Sequence, residues 1–158
     1  MESSGVAENL VALFKARGMT CATAESCTGG GVGAAITAVP GSSAVFLGGV
    51  ASYANEVKRD VLDVPQDVLD RFGAVSAECA ARMAAGAREL LKADVAVSVT
   101  GIAGPGGGSA EKPVGLVWFG LATKDGVRTE KAIFGGGRAD VRAAAATHAL
   151  GMLMAAAV

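Results

Sequence analysis

Histidine is almost missing from this chain. His148 is the single one in 158 residues, and it falls in THALGML with no neighbouring Asp or Ser. A Ser-His-Asp triad is therefore not on offer, and His148 reads as a packed or surface residue. A hydrolase built here needs another base, and lysine is the leading candidate. Cysteine is also scarce: Cys21, Cys27 and Cys79 are an odd number without a CxxC, which excludes a disulfide framework and a zinc site. Aromatics are only 4% while hydrophobic residues reach 51%, so small side chains and close backbone approach must form the core. No run of Lys or Arg exists and the net charge is −1. Phosphate-backbone binding needs clustered cations, so no nucleic acid is expected as the main partner. The apolar stretches are short or broken by Gly, below the roughly 18 residues of a membrane span. MESSGVAENL is acidic and polar, unlike a signal peptide. A cytoplasmic protein with no membrane partner is expected.

What is present is an alternation of helical and extended patterns. AENLVALFKAR (7–17) spaces Leu10, Leu13 and Phe14 on one helical face, with Gly18 as its stop. MTCATA reads as a strand feeding SCTGGG, followed by a small-residue helix over GVGAAITAV that Pro40-Gly41 ends. AVFLGGVASYA reads as a second strand. Asn55 is a candidate cap for a helix through VKRDVLDV, which Pro65 stops before a shorter helix. Ser76 should cap a long helix to about Lys92, and ADVAVSVTG should be a strand buried on both faces. VGLVWFGLAT and VRTEKAIF flank a hairpin turn at Lys124-Asp125-Gly126, and a last Ala-rich helix begins near Arg138 or Asp140. That helix, with Met152 and Met154, could pack on the sheet or on a second subunit; a homo-oligomer, taken as a dimer, is the expectation. With no repeat and no linker, residues 1–158 read as one α/β domain, a layered sandwich with a mixed β-sheet covered by helices.

Three motifs carry chemistry. SCTGGG sets Ser26, Cys27 and Thr28 before three glycines where a strand gives way to a helix. In α/β sheets ligands gather at the carboxyl ends of strands, and glycines let them approach the backbone. Against that stands the plain reading of Ser26 or Thr28 as an N-cap. The spacing matches neither a P-loop nor a dinucleotide fingerprint. GIAGPGGGS (101–109) is a second Gly-rich loop whose ordering costs much conformational entropy, which favours a ligand over filler. FGGGRADVR sets Arg138 and Arg142 on one face at a helix start, where cations oppose the macrodipole. A bound phosphate or carboxylate would explain them, since Arg forks pair with such groups; two solvated arginines are the alternative.

TAESCTGG, SYANEVK, SVTGIAGPGGGSAEKPVGLVWFGLA and FGGGRADVR together closely resemble the C-terminal domain family of competence-damage-inducible protein A (CinA). Its free-standing members are nicotinamide mononucleotide deamidases. The resemblance implies hydrolysis of nicotinamide mononucleotide to nicotinate mononucleotide and ammonia, in pyridine-nucleotide salvage, with no metal or other cofactor. It implies Ser26 as nucleophile and Lys58 as catalytic lysine. It also implies that Tyr53, Ser43, Thr100 and an arginine of FGGGRADVR line the site. The family's last motif usually has Asp before the first arginine, where this chain has Gly137. A nucleotide-sensing module with the same pocket and no turnover is the alternative from another class.

The implied chemistry is self-consistent. A serine hydroxyl needs a base to take its proton, and departing ammonia needs one returned; neutral Lys58 and its ammonium could do these in turn. Free lysine has a pKa of about 10.4, and bringing it down to neutrality costs about 4 kcal/mol, which burial and a nearby cation can supply. Arg138 or Arg142 would hold the substrate phosphate and act as that cation. Backbone N–H groups from Thr28 through Gly29 to Gly30 would form an oxyanion hole, and Gly101 would approach the ligand. Cys27 reads as a packed neighbour, since a thiolate would call for a histidine.

Overall fold

The computed structural model describes residues 3–158. Along the chain run α1 (Ser3–Arg17), β1 (Cys21–Glu25), α2 (Gly31–Thr37), β2 (Phe46–Ala51), α3 (Asn55–Asp60), α4 (Gln66–Phe72), α5 (Ala77–Leu91), β3 (Val95–Gly101), β4 (Leu116–Thr123), β5 (Gly126–Ile133) and α6 (Arg138–Ala156). The five strands form one sheet in the order β2-β1-β3-β4-β5. β1 runs parallel to both β2 and β3, while β3/β4 and β4/β5 are antiparallel. This is the expected mixed sheet between helical layers.

Alternation along the strands divides the core in two. Val95, Val97 and Val99 of β3, with Val117, Phe119 and Leu121 of β4, face α1, α2 and α6. Ala22, Ala24 and Ala96 face α5. That face is built for close approach. Gly120 of β4 lies against the Ala80 carbonyl of α5, and the Ser98 hydroxyl donates to the same carbonyl at 2.6 Å. A chain with so few aromatics thus fills its second core by bringing a helix almost onto the sheet. Met152 is buried in the first core and Met154 packs against it, so the last helix does cover the sheet.

Local signals set most boundaries. Ser76 Oγ accepts from the Cys79 N–H at 3.1 Å to start α5, and Lys92 ends it in the left-handed region at φ 55°. Lys124 and Asp125 form the short β4–β5 turn. One boundary differs from expectation: Asn55 is the first residue of α3, not its cap, and Ala54 occupies the cap position without a side-chain hydrogen bond. The start of α3 is fixed instead by Lys58, whose N–H donates to the Ala54 carbonyl.

Candidate active site

The three parallel strands deliver their carboxyl ends side by side, and each is followed by a residue of interest. β1 ends at Glu25, and Ser26 follows, tied by its N–H to the Val99 carbonyl of β3 at 2.8 Å. β2 ends at Ala51 and the chain passes through Tyr53 into α3, which carries Lys58. β3 ends with Thr100 and Gly101. Between these ends lies a cavity of about 210 Å³ lined by Ser26, Cys27, Tyr53, Lys58, Thr100, Gly101 and Arg138. Asn55, Val75 and Ala103 complete much of its wall and were not foreseen. Asn55 and Ala103 sit inside SYANEVK and GIAGPGGGS, while Val75 carries no distinctive signal. Larger cavities exist, one of about 630 Å³ beside Phe134 and His148, but no base meets a nucleophile in it among the described residues.

Lys58 Nζ donates to Ser26 Oγ at 3.0 Å and to the Tyr53 carbonyl at 2.9 Å. Lys58 is 1% exposed and Ser26 8%, so both are buried in the cavity wall. No carboxylate touches the amine among the described residues. Burial lowers the Lys58 pKa from the ordinary lysine value, against smaller opposing effects of Cys79, Cys27 and Glu56. The expected help from an arginine is not seen: desolvation does this work. Burial also pushes the Cys27 thiol up to about 11; its own backbone hydrogen bond, Arg142 and Lys58 oppose that rise, while Glu25 adds to it. Cys27 is therefore a thiol near neutrality and a poor nucleophile. His148 is remote from this chemistry, stacked on Phe119 at 4.2 Å between centroids and bonded to Glu130 at 2.7 Å on the α6 side of the sheet.

The turn after Ser26 is held from two sides. Glu25, 2% exposed, accepts from Thr28 Oγ1 at 2.6 Å and from the N–H groups of Val32 and Gly33 at 2.9 and 3.1 Å. The first turn of α2 is thus capped by a carboxylate seven residues earlier, while its cap residue Gly30 has φ 112° and no side chain. Neither Ser26 nor Thr28 is the cap, and Glu25 escaped the sequence reading. An acidic residue just ahead of a Gly-rich helix start was the available signal. From the other side Arg142 reaches the carbonyls of Cys27 and Thr28.

The remaining expected residues separate. Arg138 reaches the cavity and donates to the Gly104 carbonyl of the second Gly-rich loop at 2.8 Å. Thr100 Oγ1 donates to the Ala74 carbonyl at 2.9 Å across the cavity floor. Thr28, Gly29, Gly30 and Arg142 back the turn without lining the cavity. Gly29 N–H is taken by the Ser26 carbonyl at 3.0 Å and the Cys27 N–H turns to its own thiol, which leaves the N–H groups of Thr28 and Gly30 without a protein acceptor among the described residues. Ser43 is not brought to this cavity. It is exposed just ahead of β2, and the parallel pairing of β1 with β2 puts that end opposite the end where Ser26 stands. No group of three or more His, Cys, Asp or Glu that could hold a metal ion occurs among the described residues.

The CinA C-terminal domain family model matches residues 3–157. The chain belongs to the CinA C-terminal domain family. A CinA-like protein of Parasynechococcus marenigrum is 55% identical over 130 residues, 82% of this chain and 31% of that protein. The chain spans about a third of the length of the curated relatives it matches. Among solved structures, the competence/damage inducible protein of Agrobacterium tumefaciens superposes with TM-score 0.95 at 45% identity, covering 98% of this chain and 95% of that one. A CinA superfamily protein of Klebsiella pneumoniae gives TM-score 0.95 at 34% identity, covering 99% and 98%.

Proposed function

We propose that this CinA-family chain is a nicotinamide-nucleotide amidase that hydrolyses nicotinamide mononucleotide to nicotinate mononucleotide and ammonia through a Ser26–Lys58 pair. The observation that carries the reading is the buried 3.0 Å contact between Lys58 Nζ and Ser26 Oγ at the edge of a cavity. A lysine buried without a carboxylate is costly unless its neutral form is wanted, and a neutral amine beside a hydroxyl is a general base.

The neutral amine keeps its bond to the Tyr53 carbonyl and turns its lone pair to the Ser26 hydroxyl. As Oγ attacks the amide carbon, the proton moves to Nζ, and the tetrahedral oxyanion meets the N–H groups of Cys27 and Thr28. The lysine ammonium passes that proton to the amide nitrogen, ammonia leaves, and an ester to Ser26 remains. Water then attacks the ester, giving its proton to Lys58, and the acid is released as Ser26 regains its hydrogen. Arg138 is taken as the ligand of the substrate phosphate, and its position in the cavity wall supports that reading.

The test is ammonia release from nicotinamide mononucleotide in EDTA, by wild type and by Ser26→Ala. Turnover that vanishes in the variant supports the amidase. Equal turnover in both removes Ser26. Binding of the mononucleotide without turnover in either favours a nucleotide sensor using the same pocket.

A further inference from the structure

Arg142 lies one helical turn beyond Arg138 yet points at protein, not at the cavity. Its Nε donates to the Cys27 carbonyl at 3.1 Å and its Nη2 to the Thr28 carbonyl at 3.3 Å. Nη2 also sits 3.5 Å from where a side chain on Gly29 would begin, so the guanidinium lies directly against the turn. The carbonyl of Cys27 and the N–H of Thr28 belong to one planar trans peptide, in which the two groups point in opposite directions. A cation fixed on the oxygen therefore directs the N–H away from Arg142 and increases its partial positive charge. That N–H has no protein acceptor among the described residues, and Ser26 is two residues from it.

We infer that Arg142 is a positioning residue that aims and polarises the Thr28 N–H as an oxyanion donor, and is not a phosphate ligand. This deepens the amidase reading and rests on it. The two roles separate experimentally. A phosphate ligand acts on substrates that carry the phosphate and mostly through KM; a support for the oxyanion donor acts on kcat and on any electrophile that Ser26 attacks.

The experiment measures kcat and KM for the mononucleotide, and the rate at which a fluorophosphonate modifies Ser26. In that modification Ser26 Oγ bonds to phosphorus, fluoride leaves, and the proton goes to Lys58. Arg142→Ala and Arg142→Lys are compared with wild type, the lysine retaining a charge but not the fork that spans two carbonyls. The expected result is a kcat lower by about tenfold to hundredfold in Arg142→Ala, below the loss of an oxyanion donor outright. KM should stay within about twofold and fluorophosphonate modification should slow in parallel. Arg142→Lys should be impaired in the same sense while melting with wild type, which separates the effect from misfolding. A raised KM with kcat and modification rate unchanged overturns the inference, as does no change in any of the three. Wild type that neither releases ammonia nor is modified overturns the amidase reading, and this inference with it.

Discussion

Arg138 and Arg142 stand one turn apart on α6 and are spent differently: Arg138 binds the Gly104 carbonyl at the cavity rim, Arg142 the carbonyls of Cys27 and Thr28. A pair that looks redundant in sequence is divided by geometry. Only Arg138 can exchange its present partner for a ligand in the cavity without loosening the turn after Ser26.

Arg138→Ala should therefore raise KM for the mononucleotide by about ten- to hundredfold, the value of a charge-assisted hydrogen bond of about 1.5–3 kcal/mol. Turnover of the riboside, which lacks the phosphate and should be far slower even in wild type, should change little. Steady-state kinetics on both substrates checks this, and equal losses on the two would show that Arg138 does not bind phosphate.

Lys58 should be indispensable and yet contribute nothing favourable to stability as a cation. Lys58→Met and Lys58→Arg should each lose at least about 10²-fold in kcat, since neither offers a base near neutrality. Lys58→Met should melt within a few degrees of wild type or above it, because an ammonium buried without a carboxylate is unfavourable. Activity should rise with pH through a single ionisation lying below about 10.4, the ordinary lysine value. The same depressed pKa means that the unfolded chain binds more protons in the window between the folded pKa and about 10.4, so stability gained from this site increases with pH there. Below that window the site's cost is constant. A melting profile of wild type against Lys58→Met reads the difference.

Glu25→Ala should destabilise the fold by about 2 kcal/mol, because it strips acceptors from the Thr28 hydroxyl and from two N–H groups at the start of α2. Glu25→Gln, which retains one acceptor oxygen, should lose less. Urea denaturation of the two variants measures both, and an unchanged midpoint in Glu25→Ala would show that solvent replaces the cap.

Glu130 joins β5 to α6 by accepting from His148 at 2.7 Å and from Arg128 at 2.9 Å. Burial raises its pKa, but the hydrogen bonds from His148 and Arg128 together outweigh it, so the net shift is downward. A depressed carboxyl pKa contributes stability above the ordinary glutamate range and loses it as pH falls through the folded value. The stability gap between wild type and Glu130→Gln should accordingly be present at pH 7 and close as the pH falls below about 4. A gap independent of pH would mean that shape, not charge, ties the strand to the helix.

Much of this molecule follows from its sequence alone. The unbroken apolar run of β3, the Ser76 cap of α5 and the Lys124-Asp125 turn are local signals, and local periodicity and capping fix them whatever the rest of the chain does. Ser26, Lys58 and Thr100 line one cavity, because parallel strands present their carboxyl ends on one edge. Strand pairing decided what the motifs could not. Ser43 precedes β2 and so stands at the opposite edge, although nothing in PGSS distinguishes the two ends. Arg142 finds carbonyls more than a hundred residues away because α6 packs over α2, a contact written in neither helix. Glu25 becomes a helix cap only once the chain has turned back through three glycines. Burial of Lys58 arises only where α3 brings its amine against Ser26 and the Tyr53 carbonyl. Hydrogen bonds and desolvation depend on distance in space, and sequence reports only distance along the chain.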